Sequence, residues 1–465
     1  MKKLLFAGLF ILGFAINMMA QSAKYVFYFI GDGMGINHIH GTEMYMGELR
    51  NIIGINSLQF TQFPYFTMAT NFSASSGVTD SAAAGTALAT GSKTKNGTIG
   101  MLANQKTDVA SIAVRAKNVG AKVGIATSVG IDDATPAAFY AHTPSRKNYY
   151  EIGLQMIDSR FDFFAGSGFH QPEKKGKKDL FTLVQEGGYA LLKGYNEYLQ
   201  QAKGANKVVM FQPEGAESSY SLPYAIDRKP GDLTLKEITL AGIDFLSKDN
   251  PDKGFFFMVE GGKIDWCSHS NDAASTFREV MDFDDAIKVA YDFYKEHPDE
   301  TLIVITADHE TGGLILGNGQ YELNLKALKN QKVSESGFTK VINQLRKDHQ
   351  NKVSWEMVQN SLKENFGFWN EVTLTANQEA RLRKVYDDTF GNQKVELKES
   401  LYERDEPIAA AAKDILNEIA MVSWASGAHS GACIPVYAIG TGAEKFHGKI
   451  DNTMIPVIIA EIAGY

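Results

Sequence analysis

The sequence predicts an α/β fold: a mostly parallel central sheet sandwiched by helices, with a mostly helical insertion at about residues 315–420. Three observations lead there. Four short apolar runs lack polar alternation, the pattern of strands covered on both faces. Helical periodicity lies between them. Each run is followed closely by glycine or by an acidic residue, at the strand edge where open α/β sheets bind ligands.

Taken in order, Met1 to Ala20 is not part of the fold. Lys2 and Lys3 precede an apolar run, Leu4 to Ile16, too short to span a bilayer, and Ala20–Gln21 offers a cleavage point. This predicts a signal peptide over 1–20 and a catalytic domain over 21–465, exported to the periplasm or secreted. Met18 is bulkier than the residue such signals usually carry there, so a shifted cut and a retained anchor are the alternatives. No later segment is long and apolar enough for a stable membrane span. The first strand is Tyr25 to Ile30, followed by Gly31-Asp32-Gly33-Met34-Gly35. The second is Lys122 to Thr127, followed by Ser128 to Asp133. Phe255 to Val259 runs into Glu260, and Leu302 to Ile305 leads to Asp308. Between the last two, Phe277, Val280, Phe283, Ile287, Ala290 and Tyr294 form one helical face, with Asp282, Asp285 and Asp292 off it. Residues 315–420 are rich in Lys, Glu, Asn and Gln, with amphipathic patches such as Trp355 to Phe368, and read as a cap or interface. Sheet structure resumes near Ile434 to Ala438.

The formal charge of −8 argues against nucleic acid as the main partner, and any anionic substrate needs a local positive site. Two cysteines, Cys267 and Cys433, exclude a disulfide-built framework. They lie close in sequence to His269 and His429, and a disulfide and two free thiols are both open readings.

The chemistry-bearing residues fall in clusters. Gly77 to Ala87 places Ser81 beside Asp80 at the start of a small-residue helix, where backbone N–H groups and the helix dipole favour an anion. Alone, this is an N-cap serine. Asp32 sits between glycines that admit close approach, and alone it is a turn aspartate. Glu260 follows a strand, and Asp265 and His269 are spaced i, i+4, so on a helix they can grip one ion. Asp308 and His309 can share a metal if the backbone turns between them, and His429 lies in a loop of small residues. Singly, each has an ordinary structural reading. Together, oxygen and imidazole ligands at several strand ends suit two zinc ions, about 4 Å apart in sites of this kind, that stabilise the attacking and leaving oxygens of a displacement. Zinc then replaces a histidine base beside Ser81. Arg146 can clamp two phosphate oxygens, and Asp133 and Thr135 offer hard donors for magnesium or its water.

With these motifs in place, the chain resembles the serine-nucleophile alkaline phosphatases. Ile30 to Gly35, Val78 to Ala87, Asp133 to Arg146, Val259 to His269, Thr306 to Gly313 and His429 to Gly431 match that family in order, across most of the chain. The resemblance implies hydrolysis of small phosphomonoesters at alkaline pH through a phosphoserine on Ser81. It implies two Zn2+ and one Mg2+. Asp265, His269 and His429 would hold the first zinc, and Asp32, Asp308 and His309 the second. Asp32, Thr135 and Glu260 would hold magnesium, with Asp133 reaching it directly or through water. Arg146 would bind phosphate, oriented by Asp80, and the protein would be a homodimer. Two positions vary within the family: Asp133, where many relatives have histidine, and Trp266, where some have a lysine or histidine facing phosphate. Trp266 is read as substrate-side or as packing. His38, His40, His170, His297, His349 and His447 are read as structural or surface groups, and so is His142, with support of the site as its lesser alternative. The competing functions are a phosphodiesterase on the same fold and a phosphate-binding protein without turnover.

Overall fold

The computed structural model describes residues 22–213, 221–250, 252–319, 321–390 and 395–465. The leader expected over 1–20 lies outside the described residues.

Eight strands appear first along the chain: β1 (Tyr25–Gly31), β2 (Tyr65–Thr70), β3 (Lys122–Thr127), β4 (Phe163–Gly166), β5 (Ala190–Lys193), β6 (Val208–Phe211), β7 (Phe255–Gly261) and β8 (Thr301–Ala307). With Ile434–Gly440 and Lys449–Asp451 they make one ten-stranded sheet. Its order is Lys449–Asp451, β2, Ile434–Gly440, β8, β1, β7, β3, β4, β6, β5. Every pairing from β8 through β5 is parallel. Ile434–Gly440 runs antiparallel to both β8 and β2.

The apolar runs form these strands because they are covered on both faces. All residues of β1, β7 and β8 are buried. Phenylalanines interlock across them: Phe27 meets Phe255 edge-to-face at 5.2 Å, and Phe163 meets Phe257 at 5.9 Å. One layer of cover is the long helix Ala273–Glu296, capped by the Asp272 carboxylate accepting from Ser275 N–H at 3.1 Å. Its buried face includes Phe277, Val280, Phe283, Ile287 and Ala290, as the periodicity indicates. The sequence reading did not anticipate β2, β4, β5 or β6.

Beyond β8 the chain forms the helices Glu335–Asp348, Trp355–Phe366, Ala376–Phe390 and Pro407–Ile419. Their apolar faces close a second core around Phe338, Ile342, Leu362, Phe366 and Leu416, which meets the sheet domain through Tyr45 and Phe277. Phe338→Ala removes a wholly buried ring from this core. A loss of about 3–5 kcal/mol is expected, read by denaturant unfolding.

The two cysteines are free thiols. Cys267 is buried with Sγ 3.0 Å from the Lys263 carbonyl, and burial pushes its pKa up, whereas Cys433 is partly exposed. Thiol titration without reductant is expected to count one reactive group in the native protein and two in denaturant.

Candidate active site

Four adjacent parallel strands, β8, β1, β7 and β3, deliver carboxylates to one sheet edge. Asp32 follows β1 and Asp308 follows β8, Glu260 is the penultimate residue of β7, and Asp132 and Asp133 lie beyond β3. Gly33 keeps this edge open. It has φ +72°, and a Cβ there would lie 2.9 Å from Asp265 Oδ1 and 2.8 Å from Thr311 Oγ1.

Ser81 opens the helix Ser81–Thr90. The cap is its neighbour: Asp80 Oδ1 accepts from Ala83 N–H at 3.0 Å. Ser81 is thus free of the capping role and almost fully buried, with Oγ 3.1 Å from His309 Nε2. Gly85 lets this helix approach the short helix Ala134–Ala137 closely, since a Cβ would meet Thr135 Cα at 3.2 Å. Thr135 Oγ1 lies 3.5 Å from Asp32 Oδ2.

The imidazoles and carboxylates converge beside Ser81. His309 Nε2 is 3.1 Å from Asp308 Oδ2 and 3.3 Å from Asp32 Oδ1. Asp265 and His269 share one turn of the helix Lys263–His269, with Oδ2 and Nε2 3.3 Å apart. His429 arrives because His429–Ser430 pairs antiparallel with Glu310–Thr311. Its Nε2 lies 3.1 Å from His269 Nε2 and 3.6 Å from Asp265 Oδ1. Asp32, Asp308 and His309 offer ligand atoms within 4.8 Å of one another, as do Asp265, His309 and His429.

This cluster fits cations on its own chemistry. Asp32 Oδ1, Asp265 Oδ2 and Asp308 Oδ2 are buried oxygens that make no well-formed hydrogen bond and lie 3.1–3.3 Å from imidazole nitrogens, a spacing that one shared cation would serve. Burial, then the neighbouring Asp308, Asp265, Glu260 and Asp133, drive the Asp32 pKa well above the carboxylate range. Burial likewise pushes Glu260 up to about 8, although Thr127 Oγ1 donates to it. Burial drives His429 down to about 4, helped by His309, so it is a neutral imidazole with a lone pair to give. Buried negative charge without protons calls for divalent cations.

Arg146 is held by two carboxylates: Nη2 is 3.0 Å from Asp133 Oδ1, and Nη1 is 3.5 Å from Asp80 Oδ2. Asp133 as a partner of Arg146 was not read from the sequence. Four further groups were also missed. His170 Nδ1 is 2.8 Å from Asp132 Oδ1, and its Nε2 is 3.9 Å from Asp133. Thr311 Oγ1 donates to Asp265 Oδ1 and lies 3.2 Å from His309 Nδ1. Tyr402, from the helical region, stacks on Trp266 at 4.5 Å and meets the His269 ring at 5.3 Å. Thr127 braces Glu260. His142 places Nδ1 2.7 Å from the Gly100 carbonyl, in keeping with its structural reading. His38 is structural, as expected, with Nδ1 accepting from Gly35 N–H and Nε2 3.1 Å from Ser268 Oγ.

Known proteins similar to this chain fall in one family. The family model described as alkaline phosphatase matches residues 23–465. Alkaline phosphatase 4 of Bacillus subtilis is 31% identical over 450 residues, covering 94% of this chain and 88% of that protein. The cold-active alkaline phosphatase of a psychrophilic Shewanella superposes with a TM-score of 0.79 at 28% identity, covering 94% of this chain and 99% of that one. A variant of the alkaline phosphatase TAB5, with aspartate replacing a histidine and magnesium in its M3 site, superposes with a TM-score of 0.67 at 26% identity. It covers 96% of this chain and 99% of that one. Fold, cluster and relatives define the class first: a metal-dependent enzyme that hydrolyses phosphomonoesters. The chain belongs to the alkaline phosphatase family. Among the described residues no helix is long and apolar enough to cross a membrane.

Proposed function

We propose that the enzyme works through a phosphoserine on Ser81, with Zn2+ held by Asp265, His269 and His429 and a second Zn2+ by Asp32, Asp308 and His309. Asp32, Thr135 and Glu260 hold Mg2+, with Asp133 reaching it through water. The observation that carries this reading is Ser81 Oγ, buried and 3.1 Å from His309 Nε2, in a cluster where three buried carboxylate oxygens make no well-formed hydrogen bond. The TAB5 variant, with its aspartate and its magnesium, supports an aspartate in the role given to Asp133. When bound, these cations stabilise the charge on the attacking and leaving oxygens and lower the pKa of the oxygens they touch.

The chain's residues account for the remainder. Five carboxylates repel a phosphate dianion, so the anion approaches only over bound cations and the Arg146 guanidinium. Arg146 grips two phosphate oxygens, and Asp133 and Asp80 fix the plane of its fork. Ser81 gives up its hydroxyl proton to solvent and Oγ bonds to phosphorus as the ester P–O bond breaks; the departing alkoxide takes up a proton and leaves as the alcohol. Water then attacks the phosphoserine, releasing inorganic phosphate and restoring the Ser81 hydroxyl. The N-terminal N–H groups of Ser81–Thr90 favour the anion throughout. An alkaline optimum, export by the basic-apolar leader and a homodimer with the 315–420 region as cap or interface complete the proposal.

Turnover of a monoester and a diester of the same alcohol, at one pH, tests the reaction class. The monoester is expected to be faster by at least about 100-fold, the scale of a lost charged contact in the transition state. A faster diester overturns the assignment. Binding of phosphate by metal-replete protein with no turnover of either ester overturns catalysis altogether.

A further inference from the structure

A cavity of about 550 Å³ is lined by side chains that neighbour the metal and phosphate-binding groups. Its walls include Tyr149, His170, Tyr224, Lys263, Trp266 and Tyr402. Two routes connect it to the chemistry. On one side, Tyr402 touches the His269 ring and stacks on Trp266, which is in the same helical turn as Asp265. On the other, Arg146 binds Asp133, beside His170, and Tyr149 stacks on His170 at 4.6 Å and 13°. Lys263 is buried in the floor, its Nζ over Tyr224 at 3.3 Å and bonded to Ser221 Oγ at 2.8 Å. The helical region supplies Lys340, Tyr402 and Glu403 to the walls.

The geometry points to this cavity as the subsite for the organic part of the substrate, and to nucleoside monophosphates as its preferred class. The proposal rests on the reading of Arg146 as the phosphate clamp. Its volume is that of a small-molecule site. Tyr149, Tyr402 and His170 line it with partly exposed rings that a flat base can meet, backed by the buried Tyr224 and Trp266, while Lys340 and Glu403 bring the polar groups that a base edge requires. A short aliphatic alcohol has no flat face to stack on these rings, whereas a base does. The leaving group is therefore gripped, and the helical region carries part of the specificity.

Adenosine 5′-monophosphate and glycerol 1-phosphate test this, because both are esters of primary alcohols and leave with similar ease. In the wild type, kcat/KM for the nucleotide is expected to exceed that for glycerol phosphate by about tenfold, the scale of one base stack. Tyr402→Leu and, on the opposite wall, Tyr149→Leu are expected to bring the ratio towards one, while Tyr402→Phe keeps it. Adenosine alone is expected to inhibit glycerol phosphate hydrolysis competitively. A wild-type ratio near one, or a ratio unchanged in both leucine variants, overturns the subsite. Turnover of both esters surviving in Ser81→Ala instead overturns the catalytic reading, leaving the ratio to judge the cavity.

Discussion

Replacement of Ser81 by alanine lowers kcat for a phosphomonoester by about 10⁴-fold, the scale on which enzymes lose turnover when the attacking atom is removed. The fold is expected to be unaffected. The helix cap is made by Asp80, and the Ser81 hydroxyl bonds only His309 among the described residues. Alanine continues the run Ala82 to Ala84 without adding volume. Unfolding midpoints of the two proteins are thus expected to agree while their rates separate. Substrate affinity is retained, because Arg146 keeps both carboxylate partners. Parallel loss of stability and activity contradicts the assignment, since Ser81 would then be structural.

Removal of divalent cations is expected to cost at least about 1,000-fold in activity and to change how stability depends on pH. In the metal-free protein Glu260 keeps its proton to about pH 8, because burial penalises its charge, and Asp32 is raised in the same sense. An unfolded glutamate loses its proton near its ordinary value of 4.5. Between those values the folded state binds more protons than the unfolded one, so stability falls as pH rises. His309 acts in the same direction. Burial opposes its charge, but Asp308 and Asp265 outweigh burial and raise its pKa, and that stabilisation is lost as pH rises through the folded value. His429, Asp308 and Asp265 run the other way. Burial, then His309, lowers His429 from its ordinary 6.5 to about 4, so between those values the unfolded state binds the extra proton and stability rises with pH. Against the penalty of burial, His309 and the Gly33 N–H hold Asp308 below its ordinary value. Burial opposes the charge of Asp265 too, yet His269, His429 and His309 hold its pKa below the usual carboxylate range, so its contribution is lost only in strong acid. Calorimetry of chelated protein is therefore expected to show Tm falling between about pH 6.5 and pH 8, above the range in which His429 opposes the trend. Refilling with Zn2+ and Mg2+ removes that fall, since the cations replace the protons. A chelated Tm that rises over this interval contradicts the picture of a site built from surplus negative charge.

The parts of this enzyme readable from sequence are those set by local pattern. A strand buried on both faces must be apolar throughout, so β1, β3, β7 and β8 are legible as runs. The spacing of Asp265 and His269 determines their shared helical face. The order of the ten strands was not legible, because β4, β5 and β6 are only four residues each and their partners lie far along the chain. Contacts that cross the fold were hidden for the same reason. Nothing near His170 in sequence indicates Asp132, 38 residues earlier. Tyr402 lies in a polar region read only as a cap, yet it packs on Trp266. Trp266, uncertain between substrate contact and packing, is buried against that ring and does pack, whatever else it touches. Asp133 was read through magnesium alone, and its hydrogen bond to Arg146 links the cation site to the phosphate clamp.

The central claim is a covalent phosphoryl group on Ser81. The most direct measurement is acid quenching of the metal-replete enzyme during turnover of a phosphomonoester, followed by proteolysis and mass spectrometry of the phosphorylated peptide. The account predicts one phosphoryl group, located on Ser81 in the peptide containing Asp80-Ser81-Ala82, absent before substrate is added and absent from Ser81→Ala. A phosphoryl group on another residue, or quenched enzyme that was turning over and carries none at any pH tried, contradicts it.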